Sequence, residues 1–451
     1  MSKLFGTDGI RGVANTEPMT PETAVKVGRA LGYYFKQGGN RRPHIVIGKD
    51  TRISGDMLEQ ALASGICSMG VDVQLVGVLP TPGIAYLTAQ TKAIAGVVVS
   101  ASHNPFYDNG IKVFNSNGYK LSDAIEADIE ELLTNQRPIE VSAQIQETGR
   151  IKPLLEATQK YASFLSATFP RGFSLQHTKI IIDCSNGATH AVAPLVFGDV
   201  GANITTLFAK PNGTNINQDC GSQHPKALAK AVVDNSADIG LAFDGDGDRL
   251  IAVAENGTVL TGDQVLAICA DYRVKSGKLD PPIVVSTVMS NMGLGKALQK
   301  MNLEHIKSKV GDRYVMEQMQ ASGAVIGGED SGHLIFREYH TTGDGLLAAL
   351  RLLEAMQSQR KPLSELSGLM RVFPQVLINV DVKSKPDIGS LPGVVEVIAQ
   401  VESELGHEGR VLVRYSGTQP QCRVMVEGPT FETTNRYCRQ IANKVKQEIG
   451  A

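Results

Sequence analysis

The sequence predicts an α/β protein: three related α/β domains with mixed sheets, then a smaller C-terminal α+β domain, arranged around a central cleft. Three observations predict it. The chain has 451 residues, too many for a single hydrophobic core. Short β-branched runs alternate three times with longer helical patterns, which is how βαβ units with parallel strands read. From about Arg371 that alternation gives way to strands and two long helical patterns. No low-complexity linker separates the blocks, so domains are expected at 1–153, 154–255, 256–370 and 371–451, packed around a shared cleft.

Each block is justified by its own runs. The first has strands at HIVIGKD, VDVQLVG and GVVVSAS, with a helix at GDMLEQALASGICSMG. The second has strands at KIIIDCS, ANITTLFA and ADIGLAFDGDGD, with the helix ALAKAVVDN before the last of them. The third has strands at IVVSTV, EHIKSKV and AVIGGE, interleaved with the helices MGLGKALQKM and DRYVMEQMQAS and followed by GLLAALRLLEAMQSQR. Identity between blocks is too low to define a repeat, but the order of elements recurs. The last block has the helix VVEVIAQVESELG, the strands GRVLVRYSG and CRVMVEG, and a final helix through NRYCRQIANKVKQEIG.

Composition excludes several classes of function. With 44 Lys+Arg against 46 Asp+Glu the formal charge is −2, so there is no field to draw nucleic acid or an anionic membrane, and neither is an expected partner. Any anion must be held by a local cluster. The cysteines at 67, 184, 220, 269, 422 and 438 show no CxxC spacing, which argues against a zinc site or a disulfide framework and fits a reducing cytosol. MSKLFGTDGIRG carries no long apolar stretch, and no segment approaches the ~20 apolar residues of a membrane span, so a soluble cytoplasmic protein without a secretory leader is expected.

Four stretches carry chemistry. In GVVVSASHNP a buried-strand pattern runs into a polar turn where Ser102 stands beside His103, and the carboxyl ends of such strands are where open α/β sheets place their sites. Taken alone, such a serine usually caps a helix or closes a turn. In FDGDGDRL the carboxylates Asp244, Asp246 and Asp248 alternate, which in an extended segment places all three on one side. Crowded carboxylates repel without a cation, and oxygen-only ligands select a hard ion, Mg²⁺ or Ca²⁺. An EF-hand is excluded despite Glu255 at the twelfth position, because Arg249 stands where that loop needs glycine and both flanks read as strands. In GGEDSGH alternation puts Glu329, Ser331 and His333 on one face, a donor and acceptor set suited to sugar hydroxyls. In RYSGTQPQCR, Arg414, Ser416, Gly417, Thr418 and Arg423 surround a glycine turn and supply the parts of a phosphate cradle.

These motifs, with LFGTDGIRG, GKDTR, VGDRYV and RVMVEG, resemble the α-D-phosphohexomutases over essentially the whole chain, most closely the branch that acts on glucosamine phosphates. The resemblance implies a four-domain molecule that moves phosphate between O1 and O6 of a hexose through a phosphoserine and a bisphosphorylated sugar, serving nucleotide-sugar and cell-wall synthesis. It implies that Ser102 carries the phosphoryl group and that one Mg²⁺ is held by Asp244, Asp246, Asp248 and the Ser102 phosphate. It implies that Glu329 and Ser331 bind sugar, with His333 expected beside them, and that the RYSGT loop grips phosphate. Lys112 in NGIKVF is the implied general acid/base, with His103 and Arg11 beside it, Lys120 as a weaker candidate, and Arg249 in substrate binding. A serine needs a base, so the Lys112 pKa is expected to fall from ~10.4 toward neutrality. Glucosamine or glucose 1,6-bisphosphate is the expected primer. A phosphosugar, an activating kinase and a second copy of the chain are the partners considered. Two positions depart from the branch: Asp330 stands where it usually has Gln, and Gln419 where it usually has Glu. Branches acting on mannose or glucose phosphates, a Mg²⁺-dependent sugar phosphatase and a non-catalytic sugar sensor are the competing readings.

Overall fold

The structure is a computed structural model that describes residues 4–6, 8–36, 42–134, 139, 147–416 and 419–451. It divides into two compact units: Met1–Met289 with Leu303–Gly368, and Ser290–Asn302 with Leu369–Ala451.

The first unit contains three sheets. In the first sheet, β1 (Ile10–Val13), β2 (His44–Lys49), β3 (Asp72–Val78), β4 (Ala95–Val99), β5 (Asp108–Asn115) and β6 (Ile151–Pro153) lie in the order β1-β5-β4-β2-β3-β6. The second has β7 (Lys179–Asp183), β8 (Asn203–Leu207), β9 (Ile239–Phe243), β10 (Leu250–Ala254) and β11 (Val259–Leu260) in the order β11-β10-β9-β7-β8. The third has β12 (Ile283–Thr287), β13 (Glu304–Ser308), β14 (Ile326–Gly328) and β15 (Leu334–Phe336) in the order β13-β12-β14-β15.

All three sheets share one device. The last parallel strand, β4, β9 or β14, is buried along its whole length and is followed by a short loop that returns antiparallel as β5, β10 or β15. A strand covered on both faces needs apolar residues throughout, as in AGVVV and IGLAF. The loop that follows is therefore the first place where polar side chains are tolerated. Those three loops are SASHNP, DGDGDR and EDSGH.

The second unit has an antiparallel sheet of β16 (Gln375–Asp381), β17 (Arg410–Tyr415) and β18 (Gln421–Glu427) in the order β16-β18-β17. The helices Pro392–Leu405 and Phe431–Ile449 complete its apolar core, which includes Val394, Val401, Val424, Val426, Ile441 and Val445. The helix Met292–Lys300, predicted within the third block, is part of this unit. Asn291 Nδ2 donates to the Phe373 carbonyl at 2.9 Å, and the Met292 N–H donates to buried Glu427 at 3.0 Å.

A buried polar link ties two helices of the first unit. Asp344 caps the helix Gly345–Gln359 through the Leu347 N–H at 3.0 Å and accepts the Tyr161 hydroxyl, from the helix Ala157–Thr168, at 2.6 Å. Burial pushes the Asp344 carboxyl up to about 6, against the lowering effect of these bonds. A folded pKa above the unfolded ~3.9 means that the contribution to stability is full below about pH 4 and is lost as pH rises through 6. Tyr161→Phe removes a bond that favours the charged form. The variant should lose ~1–3 kcal/mol, more at pH 8 than at pH 4.5, in urea titrations at the two pH values. An equal loss at both would contradict the assignment.

Candidate active site

Within the first unit, the three return loops converge. Ser102 Oγ donates to Asp244 Oδ2 at 2.6 Å, joining residues 142 positions apart. Ser102 is 1% exposed and holds a left-handed φ of 54°, which costs a residue with a Cβ roughly 1–2 kcal/mol. Its N–H donates to Ser100 Oγ at 2.9 Å, and His103 Nδ1 lies 3.3 Å from its Oγ.

Asp244, Asp246 and Asp248 are all buried, with ligand oxygens within 4.8 Å of one another. They are not brought together by strand alternation, as the spacing predicts. Residues 244–249 form a turn, closed by the Gly247 N–H on the Asp244 carbonyl at 3.1 Å and allowed by a φ of 72° at Gly247. Gly245 serves close approach: a Cβ there would sit 2.6 Å from the Ser102 carbonyl oxygen.

Asp246 and Asp248 each use one side of the carboxylate to stay in place, and Asp244 uses both. Asp246 Oδ2 accepts the Thr81 hydroxyl at 2.6 Å and Lys112 Nζ at 2.8 Å. Asp248 Oδ2 faces His333 Nδ1 at 3.5 Å and Lys112 Nζ at 3.7 Å. Asp244 Oδ1 accepts the Arg249 N–H at 3.2 Å. That leaves Asp246 Oδ1 and Asp248 Oδ1 buried with no hydrogen-bond partner. Two orphan carboxylate oxygens beside a third carboxylate, all oxygen donors, fit a hard divalent cation. The electrostatics agree: burial first, then the charges on Asp248 and Asp246, drives the Asp244 pKa well above the usual carboxylate range.

Lys112 departs from expectation. Burial opposes its charge, but Asp246, Asp8 at 3.0 Å and Asp248 outweigh that and raise its pKa, so it is held as an ammonium and not poised as a base. Lys120, the weaker base candidate, is likewise held charged between Asp8 and Asp312. The chain of charges closes on itself: His333 Nε2 lies 3.4 Å from Asp312, and its Nδ1 faces Asp248. Lys112, Asp8, Lys120, Asp312, His333 and Asp248 thus form a ring drawn from all three sheet domains. His103 is neutral, since burial and then Arg249 and Arg11 depress its pKa to about 4. Arg11 pairs with Asp8, and its Nε is buried without a partner.

The predicted single face of Glu329, Ser331 and His333 does not form, because residues 329–333 turn sharply between β14 and β15. His333 joins the charge ring, while Glu329 accepts the Gly311 N–H at 3.0 Å. Ser331 Oγ is buried with no partner, a hydroxyl free for a polar ligand. Arg249 Nε, also without a hydrogen bond, lies 3.8 Å from Asp248. Glu255, the EF-hand decoy, accepts the Ser364 hydroxyl and N–H.

In the second unit, Arg414 and Arg423 face each other directly across β17 and β18. Arg423 Nη2 lies 3.4 Å from Ser416 Oγ, which also accepts the Gln419 N–H at 3.3 Å. Burial and then the Arg423 charge lower the Arg414 pKa, a like-charge strain that a bound anion would relieve. Gly417 and Thr418 lie outside the described residues.

Sequence reasoning missed Thr81, Asp8, Asp312, Arg52 and Asn217 as parts of the site. Each is an ordinary turn or helix-start residue in its own segment. The available signals were LFGTDGIRG, GKDTR and VGDRYV, quoted for resemblance without a role for Asp8, Arg52 or Asp312.

Four models of the phosphoglucomutase/phosphomannomutase family match the chain: alpha/beta/alpha domain I at residues 2–140, domain II at 159–257, domain III at 261–373 and the C-terminal domain at 377–444. A curated relative from Syntrophus aciditrophicus, a phosphoglucosamine mutase, is 58% identical over 450 residues and covers 100% of both chains. One of the same name from Syntrophobacter fumaroxidans is 55% identical, also over 100% of both. Among solved structures, a family protein from Burkholderia thailandensis aligns with a TM-score of 0.81 at 23% identity, covering 100% of this chain and 99% of that one. The N-acetylphosphoglucosamine mutase of Aspergillus fumigatus, solved with GlcNAc-6P and magnesium, aligns at 0.70 and 17%, covering 98% and 95%. The chain belongs to the phosphoglucomutase/phosphomannomutase family. It is an enzyme, and its activity is that of a phosphoglucosamine mutase. No helix among the described residues is long and apolar enough to cross a membrane.

Proposed function

We propose that the chain interconverts glucosamine 6-phosphate and glucosamine 1-phosphate by passing a phosphoryl group through Ser102, with Mg²⁺ held by Asp244, Asp246 and Asp248. The observation that carries this is the buried Ser102 hydroxyl donating at 2.6 Å to one of three clustered carboxylates that keep two oxygens unpartnered. When bound, the ion supplies positive charge to the phosphoryl oxygens.

In the first half-reaction the Ser102 Oγ–P bond breaks as a bond forms from phosphorus to the free sugar hydroxyl, giving a bisphosphorylated sugar. That hydroxyl loses a proton and Ser102 Oγ gains one, so none is consumed. Lys112, charged at the outset, hands its proton to Ser102 Oγ as the bond breaks and takes the hydroxyl proton in return. The sugar then turns over and the other phosphate returns to Ser102 by the same steps reversed. Glucosamine or glucose 1,6-bisphosphate primes the cycle. Glu329 and Ser331 bind the sugar, and the Glu329 carboxylate favours an amine over a hydroxyl electrostatically. The blocks 1–153, 154–255, 256–370 and 371–451 act as carrier, metal, sugar and phosphate domains. Six buried, unpaired cysteines suit a reducing cytoplasm.

The test is kcat/KM for glucosamine 6-phosphate against mannose 6-phosphate and glucose 6-phosphate. A higher value for either competitor would move the chain to another branch.

Whichever end of the hexose faces Ser102, the distal phosphate needs the same grip, so Arg414, Ser416, Gly417, Thr418 and Arg423 form one clamp for substrate and product. A charge-assisted hydrogen bond contributes ~1.5–3 kcal/mol, so Arg414→Ala and Arg423→Ala should each lower kcat/KM roughly 10- to 100-fold in both directions. Rates measured in both directions check this, and a defect in one alone would show recognition of a particular isomer.

A further inference from the structure

We infer that Arg52 and Asn217 are positioning residues for the phosphoryl carrier: they hold the backbone of the Ser102 loop from behind so that Oγ is presented to the aspartates. The inference rests on the reading of Ser102 as that carrier.

Arg52 is buried, and its five N–H donors are all spent. Nε donates to Asp50 Oδ2 at 2.8 Å. Nη2 donates to the carbonyl oxygens of Ser102 at 2.9 Å and Asn104 at 2.8 Å. Nη1 donates to the Asp108 carbonyl at 3.0 Å and to that of Pro105. Four carbonyls of one short loop therefore converge on one guanidinium, an arrangement that their dipoles would oppose without a cation at the focus. With no donor left, Arg52 has nothing to offer a phosphate and acts only through the loop.

Asn217 repeats the grip from the second sheet domain. Its Nδ2 donates to the same two oxygens, Ser102 at 2.9 Å and Asn104 at 3.0 Å, across more than a hundred residues of sequence. The other side of Ser102 is held through the same ion pair. Asp50 Oδ2 accepts the Ser100 hydroxyl at 2.6 Å, and Ser100 Oγ accepts the Ser102 N–H at 2.9 Å. Both backbone polar groups of Ser102 are thus fixed, and a left-handed serine persists only where its surroundings over-determine it. Loosening either grip lets the loop relax and moves Oγ away from Asp244.

Arg52→Met alone leaves Asp50 buried without its cation, so the informative variants are Asn217→Ala, Arg52→Lys and the double change Asp50→Asn with Arg52→Met. Lysine is not conservative here, because an ammonium cannot span four carbonyls. In folded variants kcat should fall roughly 10- to 100-fold with KM within about threefold, as expected when a reacting atom is displaced and binding is kept. The ³¹P resonance of phospho-Ser102, formed with glucose 1,6-bisphosphate, should shift and broaden. Folded Asn217→Ala protein that turns over within twofold of the wild type with an unmoved resonance would overturn the inference, as would a rise in KM at constant kcat. If the wild type takes up no phosphoryl group on Ser102, the reading of the carrier falls, and this inference with it. Uptake by the wild type with unaffected variants overturns the positioning role alone.

Discussion

Ser102→Ala should lose at least ~10⁴-fold in turnover while remaining folded, because the substitution removes the only atom that carries the phosphoryl group. Ser102 Oγ makes one strong hydrogen bond, to Asp244, and its backbone is held by groups that alanine leaves untouched. The loss in stability should therefore stay near ~1 kcal/mol. Two measurements check this. After incubation with glucose 1,6-bisphosphate the wild type should gain the mass of one phosphoryl group and the variant none. A phosphatase in which an aspartate is the nucleophile leaves Ser102 idle, so wild type and variant would then behave alike. Turnover of Ser102→Ala near the wild-type rate would end the mutase mechanism described above.

Asp246→Asn should lower kcat by about 10²–10³-fold and weaken Mg²⁺ binding by at least tenfold, since a neutral amide offers less to a cation that stabilises transferring phosphoryl charge. Asp246 is the sharpest choice in the triad. Its Oδ2 accepts from Thr81 and Lys112 while Oδ1 is unpartnered, so an amide, with one oxygen and no charge, must turn its NH2 either to the cation or to those two donors. Magnesium titration followed by thermal shift reads the affinity without reference to activity. Chelator should abolish wild-type turnover and added Mg²⁺ restore it; activity indifferent to chelator would refute the metal assignment.

Much of the architecture was legible because its signals are local. AGVVV and IGLAF read as doubly covered strands since burial on both faces demands unbroken apolar runs. The loops after them read as sites because that is where the runs stop. The residue types of the candidate site were legible for the same reason: three carboxylates within five positions, directly after a buried strand, repel one another unless a cation offsets them. The geometry inferred from them was less secure. Period-two alternation holds only while the backbone stays extended, and both DGDGDR and EDSGH are turns. The turn still gathers the three aspartates, but it sends His333 to Asp248 and Asp312 and Glu329 to Gly311.

By itself, then, the sequence determined the strands, the loops that end them, and which loops carry a hydroxyl, carboxylates or guanidiniums, because each of these follows from neighbours a few residues apart. Only the tertiary structure decided the charge on Lys112, since Asp8 and Asp246, 104 residues before it and 134 after, supply the field that outweighs its burial. It also decided the aim of Ser102. The carboxylate that its hydroxyl reaches and the Arg52 and Asn217 donors that hold its backbone come from distant segments. Coulombic fields and hydrogen bonds depend on distance in space, and that distance exists only once three separate sheets have brought their return loops together.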